Sequence, residues 1–180
     1  DTKTYTAQVT YNLCAGGTLR LTDRTTVNVT GNKTWNGSVN ADWDNANNWT
    51  PTGVPVVTNC ITVPDVAIDP IISGTSYNAL GHNLTVNNGA VVNLESTNNL
   101  TITDFVNVNT GGIFNVKNSA NLVQVNDTAP NSGSINMERT TNVRKTDYVY
   151  WSSPVQGFSS AAVSPLTSTG LIFKWNPTIA

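Results

Sequence analysis

Along residues 84–138 apolar and polar side chains alternate in short packets. They read Leu84-Thr85-Val86-Asn87, Val92-Asn93-Leu94-Glu95, Leu100-Thr101-Ile102-Thr103, Val106-Asn107-Val108-Asn109, Phe114-Asn115-Val116-Lys117, Val123-Gln124-Val125-Asn126 and Ile135-Asn136-Met137-Glu138. A period of two belongs to a strand that buries one face and wets the other. Every third packet starts at a near-constant distance: 84 to 106 is 22 residues, 92 to 114 is 22, and 100 to 123 is 23. A long fixed period marks a repeat architecture. It predicts an all-β chain in which three short strands make one turn of a parallel β-solenoid (a β-helix). Each strand then pairs with its equivalent one turn away, with Leu84 on Val106, Val92 on Phe114 and Leu100 on Val123. Outward Asn107, Asn115 and Asn136 would form amide ladders or simply be solvated. The alternative is an antiparallel β-sandwich, because Asn88-Gly89 and Gly111-Gly112 also read as hairpin turns.

The flanks have a different texture. Residues 1–33 hold two alternating runs, Thr4–Val9 and Thr25–Thr30, around Cys14-Ala15-Gly16-Gly17. They read as a hairpin linker or as the end of a β domain, because two strands alone are marginal in water. This pair resembles the last two strands of the immunoglobulin-like repeats of bacterial surface proteins. Residues 34–140 are read as a Trp-rich cap followed by the solenoid coils. Trp35, Trp43 and Trp49 fall within 15 positions among turn formers, and a loop seldom carries so much aromatic area without burying it. A solenoid needs such a cap at its ends. The rival reading makes the same three indoles a carbohydrate-binding platform. Residues 141–180 read as the start of a following β domain, with strands at Tyr148–Val155 and Leu171–Trp175 separated by a small polar loop, so partial sandwich-like segments flank the solenoid.

Composition narrows the functions. Charged residues are 11% of the chain, against about 25% in an average soluble domain. Asn and Thr together supply roughly 30%. With 9 basic and 11 acidic residues and a net charge of -2, the chain lacks the clustered Lys and Arg that phosphate contacts need, so nucleic acid is not an expected partner. No apolar run approaches the roughly 20 residues of a membrane span, so membrane insertion is not expected. One His and few acids leave little acid/base chemistry to recruit, and no nucleophile motif, phosphate loop or carboxylate pair stands out. Outward solenoid positions are mainly Asn and Thr, with isolated Glu95, Lys117 and Glu138. The chain is therefore read as non-enzymatic, with a β-helix polysaccharide-degrading enzyme as the weakest alternative. His82 is expected at the surface or in a capping role.

Oxygen donors alternate in Asp42-x-Asp44-Asn45-x-Asn47, as they do in calcium loops. Asp42, Asp44 and Asn47 are thus candidate calcium ligands, against the plainer reading of Asx-turn chemistry. No other cofactor is expected.

Trp35-Asn36-Gly37 … Asp42-Trp43 … Asn47-Asn48-Trp49 … Gly53-Val54-Pro55, the Asn/Thr/Gly-rich coils, and Tyr150-Trp151-Ser152-Ser153-Pro154-Val155 together resemble large secreted surface proteins of Bacteroidetes. Many of these are substrates of the type IX secretion system, and some are gliding-motility adhesins. The resemblance spans most of residues 34–160. It implies a secreted, cell-surface location, and a structural or adhesive role as a stiff stalk or surface-display segment. Its partners would be cell-surface or secretion-machinery components, with polysaccharide as a further candidate. Export would place Cys14 and Cys60 in an oxidising compartment, where they could pair with each other, or Cys14 could pair with a residue upstream. Asp127-Thr128-Ala129 matches the short O-glycosylation motif of the same bacteria, which makes Thr128 the modification candidate.

Overall fold

In the computed structural model, which describes residues 2–13, 16–28, 31–144, 147–150 and 159–173, regular structure is almost entirely β. The chain divides into two compact units, Asp1–Arg139 and Thr140–Ala180.

The first unit begins with an antiparallel ribbon of β1 (Thr2–Asn12) and β2 (Thr18–Asn28). Its register places Tyr5, Ala7, Val9 and Tyr11 on one face, beside Leu19 and Leu21 of β2. Thr, Gln and Arg occupy the other face. Leu13, Gly16 and Gly17 close the turn through backbone bonds, with both glycines at positive φ.

A parallel β-solenoid of about four turns follows. Its strands are β3 (Asn32–Trp35), β4 (Trp49–Thr50), β5 (Cys60–Val63), β6 (Ile71–Ile72), β7 (Asn78–Gly81), β8 (Asn83–Val86), β9 (Val91–Leu94), β10 (Asn99–Ile102), β11 (Val106–Val108), β12 (Ile113–Val116), β13 (Asn121–Gln124) and β14 (Asn136–Met137). They assemble into three sheets, ordered β4-β3-β5-β8-β11, β6-β9-β12-β14 and β7-β10-β13. All pairings are parallel except β3 with β4. This excludes the antiparallel sandwich. Asn88-Gly89 and Gly111-Gly112 turn corners between sheets rather than hairpins.

The inward positions build continuous columns. Ile61, Leu84 and Val106 stack in register, as do Val63, Val86 and Val108. Val92 lies on Phe114, and Ile72, Leu94, Val116 and Met137 form another column. All of these except Met137 are buried. A slip of one residue would turn an entire strand's apolar set outward, at roughly 1.5–3 kcal/mol for each buried aliphatic. The apolar columns therefore fix the register.

Left-handed backbone recurs at equivalent places in successive turns. Gly89, Gly111 and Gly133 have φ near +80°, and Ser76, Thr97 and Ser119 have φ of 57°, 67° and 63°. The first corner suits glycine, which has no Cβ to clash. The second holds the same conformation with side chains present. Four of these corners are closed by a tight backbone bond: Ala90 N to Asn87 O, Gly112 N to Asn109 O, Asn98 N to Glu95 O and Ala120 N to Lys117 O.

These corners correct one expected contact. Ser119 is 22 residues after Thr97, so β13 also steps by 22, and Leu122 rather than Val123 falls on Leu100. Asn121 confirms the register by donating to Asn99 Oδ1 at 2.9 Å. Val123 and Val125 point outward and are exposed.

In the second unit, Ser160–Val163 form a single helical turn, α1, and Thr169–Leu171 a 3-10 turn. Tyr148 meets Phe173 edge-on at 6.1 Å. The strand expected at Leu171–Trp175 does not form at its start, where Leu171 N and Ile172 N bond locally to Ser168 O and Thr169 O. Lys174 and Trp175 lie outside the described residues. Tyr148–Tyr150 have no regular structure, and 151–155 are likewise outside the described residues.

Candidate functional site

The three indoles gather at the start of the solenoid. Trp35 ends β3, and the register that pairs Thr34 with Thr62 carries it onto the Val63 column. Trp49 opens β4, opposite Trp35. Trp43 follows Asp42, which bridges to Ile71 at the start of the second sheet. Trp35 and Trp49 meet edge-to-face at 5.1 Å, and Trp43 and Trp49 at 4.7 Å. Trp35 Nε1 donates to Ile68 O at 2.7 Å and Trp49 Nε1 to Trp43 O at 2.8 Å. Trp43 Nε1 is buried with no acceptor. Relative exposures are 0%, 1% and 1% for Trp35, Trp43 and Trp49. The carbohydrate platform is therefore corrected: a sugar stacks on an exposed ring face, and these faces are spent on one another and on the core.

Polar side chains lock the cap. Asn48 is fully buried. Its Oδ1 accepts from Val39 N and Asn40 N, and its Nδ2 donates to Asn40 Oδ1 and Asp42 O. Lys33 sits in register with Ile61, and its ammonium donates to Pro51 O and Thr52 O. Its stem thus covers the core while its charge is satisfied. Asp42, Asp44 and Asn47 lie in the same loop. Asp42 Oδ2 accepts from Asn40 Nδ2, and Asn47 N donates to Asn45 Oδ1. Among the described residues no three His, Cys, Asp or Glu side chains come together in a way that could hold a metal. Asp44 acts on Tyr77: burial first, and then this carboxylate, push the Tyr77 hydroxyl above the ordinary tyrosine range.

The outer wall of the β6-β9-β12-β14 sheet is ordered in columns. Val91 and Ile113 form an apolar column. Beside it, Asn136 Nδ2 donates to Asn115 Oδ1 at 3.0 Å, and Asn115 Nδ2 donates to Asn93 Oδ1 at 2.9 Å. Next to these amides stand Glu95, Lys117 and Glu138, with Lys117 Nζ 2.7 Å from Glu138 Oε1. The hydrogen bond and charge of Glu138 hold the Lys117 ammonium above the usual lysine range. The other sheets carry shorter ladders, Asn109 to Asn87 and Asn121 to Asn99. Asn115 and Asn136 thus join a ladder. Asn107 does not: it pairs with Thr85 and bridges to Ser132, and its Oδ1 has no donor.

The far end of the first unit is closed by side chains. Gln124 and Asn131 exchange amide bonds at 2.9 Å in both directions, and Asn131 Oδ1 also accepts from Val106 N. Arg139 Nη2 donates to Ala120 O and Nη1 to Lys117 O. Thr128 lies in this closing loop, exposed, with its hydroxyl 2.9 Å from Asn126 Oδ1. His82 is half-buried at a corner, where its backbone N–H donates to Asn59 O. Cys60 is a free thiol that accepts from Asn83 Nδ2 at 3.4 Å, while Cys14 lies outside the described residues. Sequence reasoning missed Asn48 and the buried Asn98, which accepts from Tyr77 N and donates to Glu95 O and Ser96 O. Both sit in Asn-Asn pairs that look like ordinary turn residues.

A family model described as "Domain of unknown function (DUF8693)" matches residues 34–180. The match takes in the cap, the solenoid and the second unit, and leaves the β1–β2 ribbon outside. No curated protein and no solved structure matches the chain.

Proposed function

We propose that this chain, which belongs to the DUF8693 family, is a structural module of a large secreted cell-surface protein, a rigid block that holds and displays its neighbours. One observation carries the reading: three sheets of stacked, almost wholly parallel strands run through the same turns around one continuous aliphatic core. Hydrogen bonds along the axis and a solid aliphatic core resist bending. Strands stack about 4.8 Å apart, so four turns rise only roughly 20 Å. That height favours a stiff joint or display platform over a long stalk built from this segment alone. The resemblance of the Trp-rich segment and the Asn/Thr-rich coils to exported adhesins supports placement on the cell surface. The low charge and amide-covered walls suit a surface that must stay soluble without charge networks.

Two measurements test this. Spin labels at exposed Thr52 and Ser134, with Cys14 and Cys60 replaced by serine, should give a single narrow distance distribution. A broad or multimodal one would remove the rigid block. Antibodies against the chain should label intact cells that make it. Labelling only after permeabilisation would remove the surface placement. For Thr128, an unmodified peptide from native material would end the glycosylation reading.

A further inference from the structure

The β1–β2 ribbon pairs only within itself among the described residues, so both strands present a long free edge. The two edges differ in chemistry. β2 carries Arg20, Asp23 and Arg24, whereas β1 has no charge from Thr4 to Asn12, and no Gly or Pro. Charges on an edge strand repel further strands; an uncharged run of Thr, Tyr and Val accepts them. β1 also reads nearly the same in both directions about Gln8. Ala7 mirrors Val9, Thr6 mirrors Thr10, Tyr5 mirrors Tyr11, and Thr4 mirrors Asn12. Such symmetry matters for one kind of partner. When two identical strands pair antiparallel, a two-fold axis passes between them and each residue meets its mirror position.

We propose that the free edge of β1 pairs with β1 of a second copy of this chain, centred on Gln8, to give a four-stranded antiparallel sheet ordered β2-β1-β1-β2. Gln8 then faces its own equivalent, Thr6 faces Thr10, Ala7 faces Val9, and Tyr5 faces Tyr11. The match is one of size and polarity at every step. The two apolar strips, in which Tyr5 is 55% exposed, Val9 49% and Tyr11 51%, merge into one face with Ala7 and Val9 at its centre and a Tyr5–Tyr11 pair covering each flank. A strand of unrelated sequence would give β1 no reason for its mirror pattern.

Analytical ultracentrifugation of the full chain tests the pairing. The wild-type chain should dimerise in a concentration-dependent way. In the ribbon Thr6 lies opposite Arg24 and Thr10 opposite Arg20, so the double variant Thr6→Glu/Thr10→Glu is electrostatically welcome within one copy. Across the dyad it opposes carboxylates twice, and should weaken the dimer roughly tenfold. Thr6→Glu/Thr10→Lys opposes unlike charges there and should keep the dimer. A monomeric wild type at the highest concentration reached would overturn the proposal, and would leave the edge to a strand from elsewhere. A dimer that the double glutamate variant leaves untouched would also overturn it, because stacking of the apolar faces does not depend on positions 6 and 10.

Discussion

Trp49 joins the two halves of the aromatic cap, and replacing it with alanine tests whether that cap holds the solenoid's first turns. The side chain is 1% exposed, and touches Trp35 at 5.1 Å and Trp43 at 4.7 Å. Truncating a buried Trp costs about 3–5 kcal/mol, which already includes most of the ring contacts. It also strips Trp43 O of its donor, a buried acceptor left unpaired at about 1–3 kcal/mol. About 5 kcal/mol is expected in total, a large share of the 5–15 kcal/mol that typical domains possess. Trp49→Phe keeps a ring and loses chiefly the Nε1–H bond, so about 1–2 kcal/mol is expected. Guanidinium unfolding followed by circular dichroism gives both values. Hydrogen exchange adds location: turns of a solenoid depend on their neighbours, so β3 and β5 should lose protection before β12 and β13. If Trp49→Ala stayed within about 1 kcal/mol of wild type, or if protection fell first at the far end, the cap argument would fail.

Four further outcomes are expected. Thr97→Asn should raise stability by about 0.5–1 kcal/mol, read by thermal unfolding, because a β-branched residue at φ 67° is strained and Asn tolerates that region. Asn115→Ala should cost about 1–2 kcal/mol through two lost ladder bonds, while Asn107→Ala, outside the ladder, should change stability by less than about 0.5 kcal/mol; equal costs would count against the ladder. Gly81→Val should destabilise by about 1–3 kcal/mol, since an added Cβ would come within 3.0 Å of Ile102 Cδ1 and nearer still to Ile61 Cδ1; an unchanged melting temperature would show that the column has slack. Lys117 is held protonated by Glu138, so its contribution is fully present below the ordinary lysine pKa and fades as pH rises through the raised value. The stability gap between wild type and Lys117→Met should therefore close on the alkaline side, and a gap independent of pH there would refute the assignment.

The 22-residue period was readable because inward columns must be apolar at fixed positions, and few substitutions satisfy that geometry. The cap was readable because three indoles in a short loop demand burial. Other parts were hidden for physical reasons. The first turn escaped the packet pattern because β6 has only two residues. The cap strand β3 escaped it because the loop inserted before β5 stretches the step from Asn32 to Cys60 to 28 residues. Leu122 and Val123 are equally apolar neighbours, so only the corner at Ser119 decides which points inward. Ladder membership was equally silent, since Asn107 and Asn115 look alike and differ only in what lies one turn away. The strand expected at Leu171–Trp175 rested on composition alone, and at its start local turn bonds to Ser168 and Thr169 outcompete it.

The repeating corners, with Gly89, Gly111 and Gly133 at one and Ser76, Thr97 and Ser119 at the other, make each storey nearly interchangeable with the next. Duplication of one whole 22-residue segment would add a storey between cap and closing loop without disturbing either. Loss of a fraction of a segment would send every later side chain to the wrong wall. Height in this architecture is thus open to change by insertion in whole units, while the sequence within a unit tolerates no frame other than its own.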